Sequence, residues 1–99
     1  MLIVTTMDRK KLIKARQNID KVDNKIFNLL KKRTKIVDHM LSLKKQKSQI
    51  VDRKRINVIL KNLKNRSIKN RIDPKITIRI WKSMIWSYVD YQRKNFKKK

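Results

Sequence analysis

The chain has 99 residues, enough for one domain, with no Cys, no Gly and a single Pro. This composition excludes a disulfide framework, a Cys-based metal site and a Gly-rich phosphate-binding loop. The formal net charge is +23, from 30 Lys and Arg against 7 Asp and Glu, so the protein attracts anions such as nucleic acids, acidic lipids and small carboxylates. The lack of Cys and of any stretch near the roughly 20 apolar residues that cross a bilayer leads us to expect a cytoplasmic protein without a membrane partner.

The first predicted element is a very long helix. Its apolar residues are spaced three and four apart, as on one face of a helix, at Leu12, Ala15, Ile19, Val22, Ile26, Leu29, Ile36, Met40 and Leu43. No Pro or Gly interrupts the run from Asp8 to about Lys45, which predicts about 57 Å of helix at 1.5 Å per residue. Arg33 breaks the apolar stripe, so its guanidinium either reaches water at the rim or meets an anion.

Two shorter helices are predicted after the polar stretch 45–51. Asp52 is a good N-cap for a helix that ends near Ser67. Asp73 followed by Pro74 predicts the start of a third helix that ends near Phe96. The predicted apolar faces are Ile56, Ile59, Leu60 and Leu63 on the second helix and Ile80, Trp81, Met84, Ile85, Tyr88 and Val89 on the third. We therefore predict an all-α protomer of three helices forming one domain, ordered over about 8–96, with a basic tail at 97–99.

The first helix is too long for its own chain to cover. A compact domain of 100 residues has a radius of gyration of about 13 Å, far less than a helix of about 57 Å. Two shorter helices leave much of its apolar stripe exposed. A second copy, with the long helices paired by symmetry, is the simplest cover, and we predict an intertwined homodimer.

Cationic residues on or near the apolar stripe are the candidates for binding. Arg33 and Lys44 are eleven residues apart, so they share a helix face about 16 Å apart along the axis. Long side chains leaning toward each other from these positions can enclose a small anion. Arg16 lies about 25 Å before Arg33 and reaches that ligand only from the partner chain of an antiparallel dimer.

These residues carry a resemblance to a known family. The run from Arg16 to Asp23, followed by Leu29 to Arg33, resembles the first helix of the all-helical, or type II, chorismate mutases. Lys44, the stretch from Asp52 to Arg55, and Gln92 continue the likeness, which extends from about Asp8 to Phe96. The resemblance implies a dimer of three-helix protomers with two sites, each lined by both chains, that bind a small dicarboxylate.

The resemblance also implies a role for each cation and for the closing amide. Arg16 of the partner would bind one substrate carboxylate, and Arg33 of the home chain would bind a carboxylate as well. Lys44 would bind the ether oxygen and a carboxylate, with Gln92 on the other side of that oxygen. Arg55 would add positive charge. The rearrangement of chorismate to prephenate requires positioning and fixed electrostatics, without acid–base or covalent catalysis, and neither a cofactor nor a metal is implied.

Two positions depart from the mutase pattern. Many mutases have Glu immediately after the second-helix Arg, where this chain has Ile56, and Ser four residues before the closing Gln, where it has Tyr88. Asp52 would lie near the ring hydroxyl or serve only as an N-cap, and Tyr88 shares a helix face with Gln92. These departures, with the sequence 86–92, resemble the isochorismate-pyruvate lyase branch of the same fold, which forms salicylate. We place the mutase first because mutases are the commoner members.

The rival class is a basic nucleic-acid-binding helical protein. The net charge favours it, because phosphate contacts dominate such binding. The basic residues, however, are spread over all three helices, and no zinc-finger or RNA-binding aromatic motif is present. We therefore expect no specific nucleic-acid partner. Trp81, Trp86 and Tyr91 are expected to serve in packing, and His39 is expected to be solvated.

Overall fold

The computed structural model describes residues 6–97, and in this part of the chain it contains helices and no strand. The helices are α1 (Thr6–Leu43), α2 (Arg53–Lys69) and α3 (Pro74–Asn95), with a short 3-10 helix, Lys47–Gln49, between α1 and α2. The predicted all-α architecture with one very long first helix is confirmed. Of the predicted basic tail, Lys98 and Lys99 lie outside the described residues. No helix within residues 6–97 has the length and apolar character needed to cross a bilayer.

Residues 6–36, the first 31 residues of α1, form the described part of one of two compact units, and residues 37–97 form that of the other. The apolar stripe predicted from the sequence lies on this helix and is largely exposed within the single chain. The exposed fractions are 47% for Leu12, 60% for Ile19, 54% for Val22 and 61% for Leu29. An apolar stripe of this size is typical of helices that pack against another element and is rarely left exposed to water.

The second unit, residues 37–97 as described, is built around a hairpin of α2 and α3. Arg53 near the start of α2 contacts Trp86, whereas Ser67 near its end contacts Thr77, so the two helices are antiparallel. The core of this unit consists of apolar side chains contributed by the end of α1, the connection and both hairpin helices: Val37, Ile50, Leu63, Ile85 and Val89. The hairpin therefore fixes where the ends of α1 and α3 lie.

One buried polar contact joins α2 to α3. Ser67 is only 2% exposed, and its hydroxyl donates to the Leu63 carbonyl at 2.7 Å while sharing a second hydrogen bond of 2.7 Å with Thr77. Both bonds offset the cost of burying a hydroxyl. The apolar face predicted for α3 needs one correction, because Ile80 is 55% exposed. Ile80 precedes the deeply buried Val89 by nine residues, which at 100° per residue places it on the opposite side of the helix.

The turn between α2 and α3 ends α2 without glycine. Arg71 has φ 56°, in the left-handed region. Its N–H donates to the Ile68 carbonyl at 3.2 Å, and the Ile72 N–H donates to the Ser67 carbonyl at 2.9 Å. This pair of bonds is the Schellman ending, in which glycine is the preferred residue at the left-handed position. A Cβ at this position costs roughly 1–2 kcal/mol.

We expect Arg71→Gly to stabilise the protein. The left-handed strain disappears, but the unfolded chain gains freedom, so the net gain is about 0.5–1 kcal/mol. Urea unfolding followed by circular dichroism measures it. Lys69→Gly, within the last turn of α2, is the matched control and should destabilise by about 1 kcal/mol. A lower unfolding midpoint for Arg71→Gly would contradict this interpretation of the turn.

Candidate active site

An open cleft of about 730 Å³ lies within residues 37–97. It is bounded by the residue that follows α1, the connection to α2, the first turn of α2 and the last turn of α3. Its lining consists of Lys44, Gln49, Val51, Asp52, Arg53 and Arg93. The lining of this open cleft therefore combines three cationic residues with one acidic residue, Asp52.

Lys44 lines this cleft and contacts Gln92, which is buried beside it and is not part of the lining. The Lys44 ammonium donates a hydrogen bond of 2.7 Å to Oε1 of Gln92, although the residues are 48 positions apart in the chain. Gln92 is 8% exposed, and its Nε2 donates to the Tyr88 carbonyl at 3.2 Å. The amide is thus held by its own helix on one side and by the ammonium on the other. The family resemblance implies that these two residues act on one substrate oxygen from opposite sides; in the structure they are hydrogen-bonded to each other, and their roles toward a substrate stay predictions.

Two features of the surroundings of Lys44 shift its pKa in opposite directions. Partial burial disfavours the ammonium and lowers the pKa of Lys44 below its ordinary value of 10.5, while the negative charge of Asp52 opposes that shift. Burial is the larger effect. The ammonium is therefore less hydrated than a surface Lys, which strengthens its electrostatic interaction with a bound anion.

Asp52 performs the capping role predicted for it and also lines the cleft. Its carboxylate accepts a hydrogen bond of 2.9 Å from the Arg55 N–H at the start of α2. The side chain of Arg55, predicted to bind substrate, is exposed and is not part of the cleft lining. Arg53 and Arg93, which are also exposed, do line the cleft, and the Arg53 guanidinium carbon lies 5.9 Å from the centroid of the Trp86 ring.

The cleft contains residues that the sequence analysis missed. Gln49 closes the 3-10 helix through its side chain, whose Oε1 accepts from the Lys45 and Gln46 N–H groups at 2.8 and 2.9 Å. Arg93 and Arg53 bring two further cations. Arg93 directly follows Gln92 in the sequence, and this adjacency could have indicated it. The family resemblance implies a role for the Arg two positions after Arg53 and none for Arg53 itself.

The aromatic residues of α3 do more than pack. The Tyr91 hydroxyl donates to the Asp38 carboxylate near the end of α1, and this bond raises the pKa of Tyr91. Tyr88 and Tyr91 meet edge to face, with ring centroids 6.2 Å apart. Trp86, expected in packing, is 38% exposed and is within cation–π distance of Arg53. Trp81 is half-buried, as expected of a packing residue.

Arg16 and Arg33 lie in the other unit, on residues 6–36 of α1. Arg16 is exposed and Arg33 is half-buried. Their predicted roles in a site shared between two chains stay predictions. His39, in the second unit, is exposed as expected.

The chain was compared with known proteins at the level of families, sequences and structures. The family model described as chorismate mutase type II matches residues 15–93, which include all of α2, most of α1 and α3 as far as Arg93. Neither the curated proteins nor the solved structures give a match. The family match extends over well more than half of the sequence and includes both members of the Lys44–Gln92 pair. The chain therefore belongs to the type II chorismate mutase family.

Proposed function

We propose that this protein is a chorismate mutase that rearranges chorismate to prephenate. The observation that carries the proposal is the contact between the Lys44 ammonium and the Gln92 amide at 2.7 Å, beside a cleft with three cations and one carboxylate. The family match supports the same reaction. Chorismate is a small dianion, so the net positive charge of the cleft lining suits it.

The reaction requires neither a nucleophile nor proton transfer. The protein has to hold the enolpyruvyl side chain over the ring and stabilise the negative charge that develops on the ether oxygen. An ammonium has three protons, and only one of them is used by Gln92. The other two are available to the ether oxygen and to a carboxylate. The second Nε2 proton of Gln92 would reach the ether oxygen from the other side.

The remaining candidates act on the ends of the substrate. Arg33 would bind one carboxylate from the home chain and Arg16 another from the partner, because a guanidinium matches a carboxylate with two parallel hydrogen bonds. Arg55 would add positive charge from α2. Asp52 would meet the ring hydroxyl, and Tyr88 would limit the space next to Gln92.

The proposed site requires a homodimer. The support for it is the exposed apolar stripe on residues 6–36, where Leu12, Ile19, Val22 and Leu29 are between 47% and 61% exposed in the single chain. Burying such a stripe against a second copy gains roughly 25 cal/mol for each Å² of apolar surface removed from water. We propose that residues 8–96 form one domain within that dimer.

A second candidate activity is isochorismate-pyruvate lyase. It is favoured by Ile56, half-buried on α2 where many mutases have Glu, and by the half-buried Tyr88 where they often have Ser. Both residues make the pocket less polar without changing its cations. The same arginines and Lys44 would bind isochorismate, and elimination of pyruvate would leave salicylate.

One experiment separates the two activities. Purified protein is incubated with chorismate and with isochorismate in parallel, and the products are identified by mass spectrometry. Prephenate from chorismate supports the mutase, whereas salicylate and pyruvate from isochorismate support the lyase. The absence of turnover with both substrates would reject the enzymatic proposal.

The pH dependence of the mutase activity provides a further prediction. Lys44 must be protonated to donate to the substrate, so kcat/KM should fall as the pH rises through the pKa of Lys44, which lies below 10.5. Asp52→Asn removes the charge that raises this pKa, so the alkaline fall should move to lower pH. Asn is as good an N-cap as Asp, and the variant should keep its fold. An alkaline limb that stays in place would contradict the assignment to Lys44.

A further inference from the structure

We infer that Arg53 and Arg93 form an anion subsite in the cleft, where they share with Lys44 the substrate carboxylate to which its ammonium donates. The inference rests on the proposed function for the identity of the dianion. It adds two residues to that function, one at the beginning of α2 and one in the last turn of α3. Both line the same cleft as Lys44.

Arg53 is held in a defined position. Its guanidinium carbon lies 5.9 Å from the centroid of the Trp86 ring on α3, which is within the range of a cation–π contact. Arg53 is otherwise exposed, so this contact with Trp86 keeps its guanidinium near α3 while leaving its N–H groups accessible to a ligand.

Helix stability does not explain Arg53. It is the first residue of α2, where the helix dipole disfavours a positive charge, and the first turn contains no acidic residue. Asp52, directly before it, is engaged as the N-cap through the Arg55 N–H. Lys54 and Arg55 are basic in the same turn without lining the cleft, so what distinguishes Arg53 is its place in the cleft lining and its contact with Trp86.

Arg93 approaches the cleft from the other helix. It follows Gln92, whose amide is bound to the Lys44 ammonium, so its backbone is anchored next to that contact. The last turn of α3 is a favourable place for a cation, which by itself explains a basic residue there. The additional observation is that Arg93 lines the same cleft as Arg53 and Lys44. The three cations can share a ligand with two carboxylates.

Such a subsite binds the substrate and the transition state equally, because the carboxylates keep their charge during the rearrangement. Its loss should raise KM and leave kcat nearly unchanged. This distinguishes Arg53 and Arg93 from Lys44, whose interaction with the ether oxygen strengthens only in the transition state. A raised KM with a nearly unchanged kcat is therefore the result that identifies the subsite.

The test uses Arg53→Gln and Arg93→Gln with Lys54→Gln and Lys94→Gln as matched controls. Each control removes one positive charge from an exposed neighbouring position of the same helix. We expect KM for chorismate to rise about tenfold or more in each Arg variant, with kcat within about twofold and both controls near the unaltered value. Arg53→Lys should recover part of the loss, since it keeps the charge but not the planar guanidinium that matches a carboxylate with two hydrogen bonds. Circular dichroism checks that every variant is folded.

Calorimetry separates this inference from the proposed function. If the unaltered protein binds chorismate without converting it, the mutase proposal fails, while weaker binding in both Arg variants still supports the subsite. If the protein turns over chorismate but KM in the Arg variants matches that of the controls, the subsite is overturned and the mutase stands. Equal losses in Arg and Lys variants that vanish in high salt would also overturn it, since they would indicate only long-range attraction.

Discussion

Replacing Lys44 by Met should lower kcat/KM for chorismate by about a hundred- to a thousandfold, the usual effect of removing one preorganised donor to a developing oxyanion. Most of the loss should appear in kcat, because the ammonium meets the ether oxygen when charge develops there. Met keeps much of the apolar stem and fills the same half-buried space. Steady-state kinetics with chorismate, following the formation of prephenate, measures both parameters.

The fold should survive this change. Burial disfavours the Lys44 ammonium, so its removal relieves a desolvation cost while ending the bond to Gln92. Lys45→Met is the matched control, since Lys45 is the next residue and is exposed. It removes the same charge outside the cleft and should leave kcat within about twofold of the unaltered value. A folded Lys44→Met protein with unchanged kcat would remove Lys44 from the reaction.

The architecture could be predicted because the signals that end helices are local. Asp52 and the pair Asp73–Pro74 mark the starts of α2 and α3, and each Asp accepts a hydrogen bond of 2.9 Å from a backbone N–H in the first turn. Spacing alone was less reliable for the buried face of α3. Ile80 fits the apolar pattern, yet the hairpin buries the side of α3 that contains Ile85 and Val89.

The candidate site could be predicted only in part. Lys44 and Gln92 were identified by likeness to a family, and their hydrogen bond agrees with that pairing. Arg53 and Arg93 belong to no local pattern. They line one cleft because the antiparallel hairpin brings the beginning of α2 beside the end of α3, and only the packing of the hairpin fixes that proximity. A sequence containing 30 basic residues offers many equivalent candidates.

For the apolar stripe on residues 6–36, the sequence predicts a cover but the single chain does not provide it. Its periodicity predicts that the stripe is covered, and the single chain leaves it exposed. A symmetric pair of chains would satisfy both observations, and it would also bring Arg16 of one chain within reach of the other. The homodimer and the shared site are therefore one proposal, and they can be tested together.

Mixing two impaired variants should restore kcat/KM if the site is shared. Arg16→Ala and Arg33→Ala should each lose at least about a hundredfold in kcat/KM as homodimers, because every site lacks one carboxylate-binding guanidinium. In a heterodimer, one site contains both substitutions and the other contains neither. Heterodimers purified through two different affinity tags should therefore show about half the activity of the unaltered dimer.

The matched control pairs Arg33→Ala with Lys44→Ala, two residues assigned to the same chain's contribution to one site. In that heterodimer each site contains one substituted residue, so kcat/KM should stay at the level of the homodimeric variants. Analytical ultracentrifugation establishes that the purified species are dimers. If verified heterodimers of Arg16→Ala and Arg33→Ala remain inactive, Arg16 does not act across the interface. A stable monomer that retains full activity would remove the need for a second chain, and the stripe on α1 would then require another explanation.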